Sequence, residues 1–343
     1  MQRPLNRKGW IEMVEGEVTP DLFQGKMDDS SRKLLEAYGI DEKFNFFVSY
    51  LYLKHHFNMV YRLAEFAGLA TTNNPPPELD PNLEIFMQAY LEGVKTTLFD
   101  KETMPYASKV VTLDDAVQLV TLQEPVDLRN LNNVIPYTQA NSIILENPEA
   151  IAVGRCACRL ARADYCEPMG EGLADERGID CCFFIGDPWA TVIAEDPRFR
   201  KCSQEEAVEI MKTCHEFGVP QLAYWRKELG RNFYSICNCC KCCCIGMLAH
   251  NAFAGAVPCV APSGYKAQLN ADACSGCGIC EENCHFLAMT VDAEAEKAVC
   301  DLAKCMGCGV CADSCPEEAI TLTRDASELE PVDMRALRAK YGS

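Results

Sequence analysis

The 343-residue sequence has no cysteine before Cys156, few basic residues and no long uninterrupted apolar run. Its 32 Lys and Arg are outnumbered by 50 Asp and Glu, which gives a formal net charge of −18. Nucleic acid and anionic membrane surfaces attract basic proteins, so this balance argues against both as partners. It favours docking to a basic protein through an encounter that salt weakens, although an acidic surface also simply keeps many proteins in solution.

Signals for export and membrane insertion are also missing. Residues 1–18 have no apolar core and carry Glu12, so they do not resemble a secretory signal peptide. The most apolar stretch, residues 44–70, is too interrupted by Lys54, His55 and His56 to span a bilayer. On a helix these adjacent histidines would point about 100° apart, so we do not expect them to share a site. We expect a cytoplasmic protein whose thiols are metal ligands rather than disulfides.

The distribution of the 23 cysteines divides the chain. Fourteen of them lie between positions 156 and 259, and nine lie between 274 and 315. The prediction is an α+β protein with five parts. These are a mostly helical N-terminal region at 1–150, where partner docking is expected, a cysteine-rich α/β module at 151–255, a linker at 256–268, a second cysteine-rich domain at 269–325 and a charged tail at 326–343.

Helix signals are clear in the N-terminal region. Residues 44–67 have dense apolar positions without strict alternation, which indicates a buried helix. Asp80 is predicted to cap a helix that runs from Pro81 to about Phe99, because proline is favoured at the first helical position. Thr112 is predicted to cap another helix over 113–123.

One helix of the middle module has complete start and stop signals. Ser203 and Glu206 form a capping box, and Gly218 ends the helix. Cys214 falls on its apolar face, so it is predicted to be a core thiol. Cys202 lies at the helix start, where the helix dipole is expected to lower its pKa.

Two repeated runs carry the strongest chemical signal. Residues 274–284 read CSGCGICEENC, and residues 305–316 read CMGCGVCADSCP. In the shared spacing C-x2-C-x2-C-x3-C, three thiolates can wrap one face of an iron–sulfur cubane while the last points away from it. Zinc is the alternative, but zinc sites favour C-x2-C pairs separated by a longer gap. Four glycines let the backbone approach a cluster: Gly276, Gly278, Gly307 and Gly309.

These runs, with short strands expected at 288–291 and 319–322, resemble a bacterial 2[4Fe-4S] ferredoxin domain. The resemblance implies two [4Fe-4S] clusters and electron transfer with redox protein partners. It departs at His285, where the family usually has proline, and Cys300 outside the runs is expected to be a core thiol. By the resemblance, Cys274, Cys277, Cys280 and Cys315 hold cluster one, and Cys305, Cys308, Cys311 and Cys284 hold cluster two.

The middle module has a denser group of thiols, with CNCCKCCC at residues 237–244. Since a cubane takes only four protein ligands, the economical arrangement is one or two further iron–sulfur clusters around this segment. Arg155 and Arg159 are expected to donate to sulfur or to balance thiolate charge. Structural roles or zinc binding remain the alternatives. The candidate ligands are Cys156, Cys158, Cys166, Cys182, Cys237, Cys239, Cys240, Cys242, Cys243 and Cys244.

Less specifically, the middle motifs and the segment 262–265 (PSGY) resemble iron–sulfur proteins of anaerobic bacteria. Those proteins carry CxCR…C…C and CNCCxCCC motifs before a two-cluster ferredoxin domain. The resemblance implies electron transfer in anaerobic metabolism, as a subunit or dedicated partner of a larger oxidoreductase complex.

Three functions therefore stay open. The first is a non-catalytic electron-transfer protein with no catalytic residues of its own. The second is a reductase subunit with a substrate-binding cluster in the middle module, although the sequence has no G-x-G-x-x-G or G-x4-G-K-[ST] fingerprint and no readable acid–base pair. The third is a store or sensor of soft metal ions, which would leave the ferredoxin-like part without a purpose.

Overall fold

The chain forms an α+β structure built around one large sheet. The computed structural model describes residues 43–71, 75–79, 81–97, 106–129, 134, 142–162, 180–226 and 233–341. Within the described ranges this sheet has eight strands, and two smaller two-stranded sheets lie toward the C-terminus. No helix in those ranges is both long and apolar enough to cross a membrane.

Among the described residues, three helices precede the first strand: α1 (Lys43–Lys54), α2 (His56–Phe66) and α3 (Pro81–Thr97). The single helix predicted at 44–67 is interrupted at His55, whose φ of −127° and ψ of 39° are not helical. Helix α3 begins at Pro81 as predicted. Its predicted cap, Asp80, lies outside the described residues.

The large sheet joins strands from both sides of the predicted boundary at residue 150, which falls inside β3. All its pairings are antiparallel except β1 with β8. The order is β2-β3-β4-β7-β6-β1-β8, with β5 also paired to β3. The strands are β1 (Tyr106–Val111), β2 (Val126–Arg129), β3 (Ser142–Arg155), β4 (Asp180–Asp187), β5 (Phe199–Lys201), β6 (Gln221–Arg226), β7 (Phe233–Asn238) and β8 (Val260–Ala261).

In the part of the chain that the structure describes, five helices lie between these strands: α4 (Leu113–Val120), α5 (Ala157–Ala161), α6 (Trp189–Ile193), α7 (Gln204–Glu216) and α8 (Ile245–Ala252). The predicted cap of α4 is confirmed, because the Thr112 hydroxyl accepts the N–H of Asp115 at 3.2 Å. The cap of α7 is confirmed in the same way, since Ser203 accepts the N–H of Glu206 at 3.2 Å.

The central strands are buried on both faces. Phe183 and Phe184 are neighbours on β4, yet they pack into different apolar cores, as alternating side chains of a doubly covered strand must. His56 is buried beside Phe184, with its ring edge-on to that phenyl ring at a centroid distance of 5.3 Å. His56 is therefore a buried packing residue.

The C-terminal part is a pair of similar strand–loop units. Its elements are β9 (Tyr265–Leu269), α9 (Ile279–Glu282), β10 (Met289–Asp292), β11 (Lys297–Cys300), α10 (Val310–Asp313), β12 (Ile320–Arg324) and α11 (Met334–Tyr341). β9 pairs with β12 and β10 pairs with β11, so the strands predicted after each cysteine run are confirmed. β9 begins inside the segment predicted as a linker. Helix α11 returns to α4, where Arg335 donates to Asp114 at 2.6 Å.

Candidate metal centres

The two repeated cysteine runs fold into similar tight loops that need glycine. Gly278 and Gly309 precede the one-turn helices α9 and α10 with φ of 83° and 91°, a region that favours glycine. A Cβ on Gly276 would lie 2.2 Å from the carbonyl oxygen of Glu296. A Cβ on Gly307 would lie 2.1 Å from another carbonyl oxygen. The backbone therefore closes tightly around the cysteines.

These loops place eight cysteines around two cavities. One cavity is lined by Cys274, Cys277, Cys280 and Cys315, and the other by Cys284, Cys305, Cys308 and Cys311. The last cysteine of each run thus lines the cavity of the other run. Each cavity is lined by four cysteine sulfurs, which is the number of protein ligands that a [4Fe-4S] cluster takes. The residues present therefore fit that group.

Main-chain N–H groups point at several of these sulfurs. The pKa of the Cys274 thiol is lowered because the N–H groups of Ala298 and Gly276 donate to it, each at 3.4 Å. Such bonds favour the thiolate, which is the form that binds iron. Further N–H donors include Ala288 to Cys284 at 3.2 Å, Ala267 to Cys305 at 3.4 Å and Ala319 to Cys315 at 3.4 Å.

The thiols of the middle module meet at one end of the large sheet. β3 ends at Arg155, β4 begins at Asp180 and β7 ends at Asn238, and antiparallel pairing places these three ends side by side. Cys182 and Cys237 face each other across β4 and β7, with their sulfurs 3.5 Å apart. Strand register therefore assembles thiols that are distant in the sequence.

Seven of these thiols form one continuous chain of side-chain hydrogen bonds, which we name the seven-thiol group. The Tyr224 hydroxyl adds contacts at 3.4 Å to Cys239 and 3.7 Å to Cys244. Cys156 and Cys244 precede α5 and α8 with nearly equal backbone angles, φ −66° and ψ 116° against φ −65° and ψ 117°. The order along the chain of bonds is Cys181, Cys156, Cys158, Cys244, Cys239, Cys237 and Cys182.

Two members of the seven-thiol group favour the thiolate form. Hydrogen bonds from Cys158 and a second thiol, with the positive charge of Arg159 nearby, hold the pKa of Cys156 well below its usual range. Bonds from Cys158 and Cys239 do the same for the pKa of Cys244. Both thiolates lie at helix N-termini, where the helix dipole also favours negative charge. They are the members best prepared to bind a metal.

A second group consists of Cys240, Cys242 and Cys243, which we name the three-thiol group. Their sulfurs all lie within 4.8 Å of one another, and those of Cys242 and Cys243 are 3.6 Å apart. Cys240 and Cys243 are buried, while Cys242 is half-buried. The CNCCKCCC block is thus split between the two groups. Its remaining cysteines, Cys237, Cys239 and Cys244, belong to the seven-thiol group.

Sequence reasoning missed Cys181 and could not locate Cys166, which lies outside the described residues. Cys181 bonds to Cys156 and also accepts from Nη1 of Arg159, whose Nη2 donates to the carbonyl oxygen of Asn238 at 3.0 Å. The sequence signal for Cys181 was its adjacency to Cys182. Because neighbouring strand residues point to opposite faces, adjacency favours only one of the pair as a member, whereas both belong to the seven-thiol group.

Three cysteines outside the ligand sets were given structural roles. Cys214 is fully buried in the core as predicted. The lowered pKa expected for Cys202 is wrong, because burial and the carboxylate of Glu206 raise its pKa to about 12. Cys300 is only half-buried and bonds to Cys305, so it lies closer to the second cavity than a core thiol would.

His285 joins the C-terminal part to the middle thiols. The N–H of Lys241, between Cys240 and Cys242, donates to Nδ1 of His285 at 3.2 Å. The side chain of Asn251 donates to the carbonyl oxygen of His285 at 2.9 Å. A residue that sequence reasoning treated as a small departure from the ferredoxin pattern is therefore an interface residue.

The second cavity borders the seven-thiol group through shared packing. Phe286 and Met306 line that cavity and belong to the same apolar core as Cys239 and Cys244. The first cavity faces outward, because Cys277 is exposed. The two C-terminal donor sets therefore differ in position, one inner and one outer.

Comparison with known proteins agrees with the C-terminal geometry. Residues 273–327 match the family model of the 4Fe-4S dicluster domain, a segment that contains both cysteine runs. The prediction of an iron–sulfur, ferredoxin-like part with two [4Fe-4S] clusters is thereby confirmed for this segment. A search of curated proteins found no match for the chain.

Proposed function

We propose that this protein relays single electrons through several [4Fe-4S] clusters between redox protein partners in anaerobic metabolism. The observation that carries the proposal is the crossed arrangement of eight cysteines around two cavities, in a segment that matches the dicluster domain. When bound, each cluster supplies a one-electron carrier whose potential is set by burial and by N–H···S bonds.

The proposed ligands of cluster one are Cys274, Cys277, Cys280 and Cys315, and those of cluster two are Cys284, Cys305, Cys308 and Cys311. One or two further clusters would be held in the middle module by the seven-thiol and three-thiol groups. The all-sulfur donor sets, the low pKa of Cys156 and Cys244, and the approach of Arg159 support this part.

The positions of the donor sets support an order for the relay. The cluster-two cysteines lie against the middle module through His285, Phe286 and Met306. Exposed Cys277 places the cluster-one set at the surface. Electrons would therefore pass between an external partner at the cluster-one side and the middle thiols by way of the cluster-two side.

Partner docking at residues 1–150 stays a proposal. Strands β1, β2 and most of β3 come from this region and belong to the central sheet. A deletion that tests docking must therefore leave residues 106–155 in place. Loss of partner binding with retained iron would support the proposal, and unchanged binding would contradict it.

The test is anaerobic purification followed by counting iron and acid-labile sulfide per chain. About sixteen iron atoms would support two clusters in each half, and about eight would confine clusters to the C-terminal part. Cys277→Ala should lower the iron content, while Cys214→Ala, at a core thiol, serves as the matched control and should leave it unchanged. A colourless protein, or one that holds only zinc, would overturn the proposal.

One observation favours the second candidate, a reductase with its substrate site in the middle module. A cavity of about 660 Å³ lies beside α5, the helix that begins after Cys156. Potentiometric EPR separates the two functions, because an added substrate perturbs the signals only where a cluster accepts an outside ligand. If no small molecule changes the EPR signals, electron relay remains as the function and the reductase is rejected.

A further inference from the structure

A cavity lies at the end of β3, beside the helix that follows Cys156, and we name it the α5 cavity. Its volume of about 660 Å³ is typical of sites for small organic molecules. Ala157, Leu160 and Ala161 of α5 form one wall. The described lining contains no cysteine, so its role is separate from that of the proposed cluster ligands.

Much of the wall is apolar and partly aromatic. Phe57, Tyr61 and Phe199 line the cavity together with the prolines at 75–77. Aromatic rings and prolines present flat, rigid surfaces, and these suit a flat apolar body better than a flexible polar one. The cavity can therefore bury the hydrocarbon part of a ligand.

The charged part of the lining is mainly positive. Arg155, Arg198 and Arg200 line the cavity against a single described carboxylate, Asp180. The guanidinium groups of Arg198 and Arg200 are hydrogen-bonded to carboxylates, so their orientation is fixed before a ligand binds. Asp196 and Glu206 balance part of this charge, but the wall still presents oriented guanidinium N–H groups beside an apolar surface. Such a pair of walls suits an anion with an apolar body.

Arg198 is firmly oriented by its partners. Its Nε and Nη2 donate to the carboxylate of Asp196 at 2.8 and 2.6 Å, and its guanidinium lies 3.7 Å from the centroid of the Phe57 ring. The N–H groups on Nη1 have no partner among the described residues. Arginine recognises carboxylates through such planar pairs of donors.

Arg200 is held by two carboxylates. Its Nε donates to Asp180 at 3.0 Å, and its Nη2 lies 2.7 Å from a carboxylate oxygen of Glu206. Arg62, on α2, has a comparable pair of partners, Glu65 at 2.6 Å and Glu84 at 3.1 Å, but it is not in the lining. The chain therefore offers a matched control for a substitution at Arg200.

We propose that the α5 cavity binds a small organic carboxylate with a flat apolar body. The carboxylate would meet the arginines, and the apolar body would pack on Phe57, Tyr61 and Phe199. The bound molecule would lie against the helix that starts at Cys156. This inference goes beyond electron relay and does not depend on it, because its residues are not cluster ligands.

The experiment is anaerobic titration calorimetry on the full-length, cluster-loaded protein with three probes. Benzoate carries both features, benzyl alcohol keeps only the flat body, and inorganic phosphate keeps only the charge. Saturable binding of benzoate, with much weaker binding of the other two, is the expected result. No saturable benzoate binding, or equal binding of benzyl alcohol or phosphate, would overturn the proposal.

Substitutions in and outside the lining test whether benzoate binds in the α5 cavity. Arg200→Gln should weaken benzoate binding by about tenfold, since it removes a charge-assisted hydrogen bond. Arg62→Gln should leave it within about twofold, because exposed ion pairs away from a ligand have small effects. Leu160→Trp, which narrows the cavity without changing its charge, should abolish binding while the circular dichroism spectrum stays unchanged. Equal weakening by Arg62→Gln and Arg200→Gln would place the ligand elsewhere and reject the cavity.

Discussion

At the scale of single residues, His56 shows how burial changes a titrating side chain. Its ring nitrogen Nδ1 lies 3.2 Å from the carbonyl oxygen of Tyr52, and the side chain is 3 % exposed. Burial lowers its pKa to about 4, although Cys156 and Asp196 act in the opposite direction. The unfolded chain, with a histidine pKa near 6.5, therefore binds more protons than the folded chain between these two values.

We predict that His56 makes the protein less stable as the pH falls below about 6.5. Its contribution to the free energy of unfolding should drop by about 2 kcal/mol between pH 7.5 and pH 5, as the two pKa values require. Urea unfolding of wild type and His56→Phe at both pH values measures this. The variant should lose less stability on acidification, and Tyr61→Phe, the control, should behave like wild type. Equal losses in wild type and His56→Phe would contradict the assignment.

Arg159 is the second residue whose contacts carry a prediction. It donates to Cys181 and lies near Cys156, so it neutralises thiolate charge in the seven-thiol group. Arg159→Gln should lower the iron content by about four atoms per chain if one middle cluster is lost. Iron and sulfide analysis with EPR measures the loss, and the signals of the C-terminal part should persist.

Arg162→Gln is the matched control for that prediction. Arg162 follows the same helix, but it donates to the carbonyl oxygens of Cys242 and Leu69 rather than to sulfur. It should therefore keep the full iron content. If both variants lost the same amount of iron, the effect would come from the backbone around α5 and not from the sulfur contact.

At the scale of the elements, local sequence patterns were sufficient to predict individual helices and loops. They were not sufficient to predict which distant strands pair. The caps at Thr112 and Ser203 and the cysteine runs are short patterns, so the sequence predicted α4, α7 and the loops of the dicluster part. The seven-thiol group depends on how β3, β4 and β7 pair over a long sequence separation. No local pattern encodes that register, which is why Cys181 was missed and the large sheet was not predicted.

The loop at Gly276 and Gly278 gives an element-scale prediction with a built-in control. Both residues have positive φ, but a Cβ would meet a carbonyl oxygen at 2.2 Å only at Gly276, while Gly278 has nothing within 4 Å. Gly276→Ala should therefore displace the loop and remove iron from the cluster-one set. Gly278→Ala should cost only the backbone strain, about 1 kcal/mol, and keep its iron.

Iron content per chain and the midpoint of thermal unfolding measure this difference. Retention of iron by Gly276→Ala, with an unchanged absorption spectrum, would show that the loop tolerates a methyl group there. Equal iron loss in both variants would point to positive φ rather than to the contact with Glu296.

At the scale of the whole molecule, we expect the net charge of −18 to influence the encounter with the proposed redox partners. An acidic surface accelerates encounter with a basic protein, and salt screens this attraction. The rate constant for reduction of a basic cytochrome c should fall by about tenfold between low and high ionic strength, from about 0.02 to 0.5 M. Stopped-flow absorbance measures it.

An acidic electron acceptor is the control for the charge argument. Its reduction should become faster or stay constant over the same range of salt, because screening then removes repulsion. A fall of equal size for the acidic acceptor would mean that salt acts on the protein itself and not on docking.

The whole chain also shows where reasoning from cysteine positions stops. Counting thiols separated residues 1–150 from the rest, yet strands on both sides of that boundary share one sheet. Composition reports which residues carry chemistry, while hydrogen bonding between distant strands decides which segments fold together.

The convergence of three strand ends at the seven-thiol group has a consequence for how the protein matures in the cell. The thiols of the dicluster part come from a short stretch near the end of the chain, so they can be offered to the iron-delivery machinery as soon as that stretch emerges from the ribosome. The middle thiols are made earlier, but they meet only after β3, β4 and β7 have paired. The dicluster part is thus ready for metal once its own short segment has folded, while the middle module must first form its sheet, and cells starved of iron should accumulate intermediates loaded only in the dicluster part.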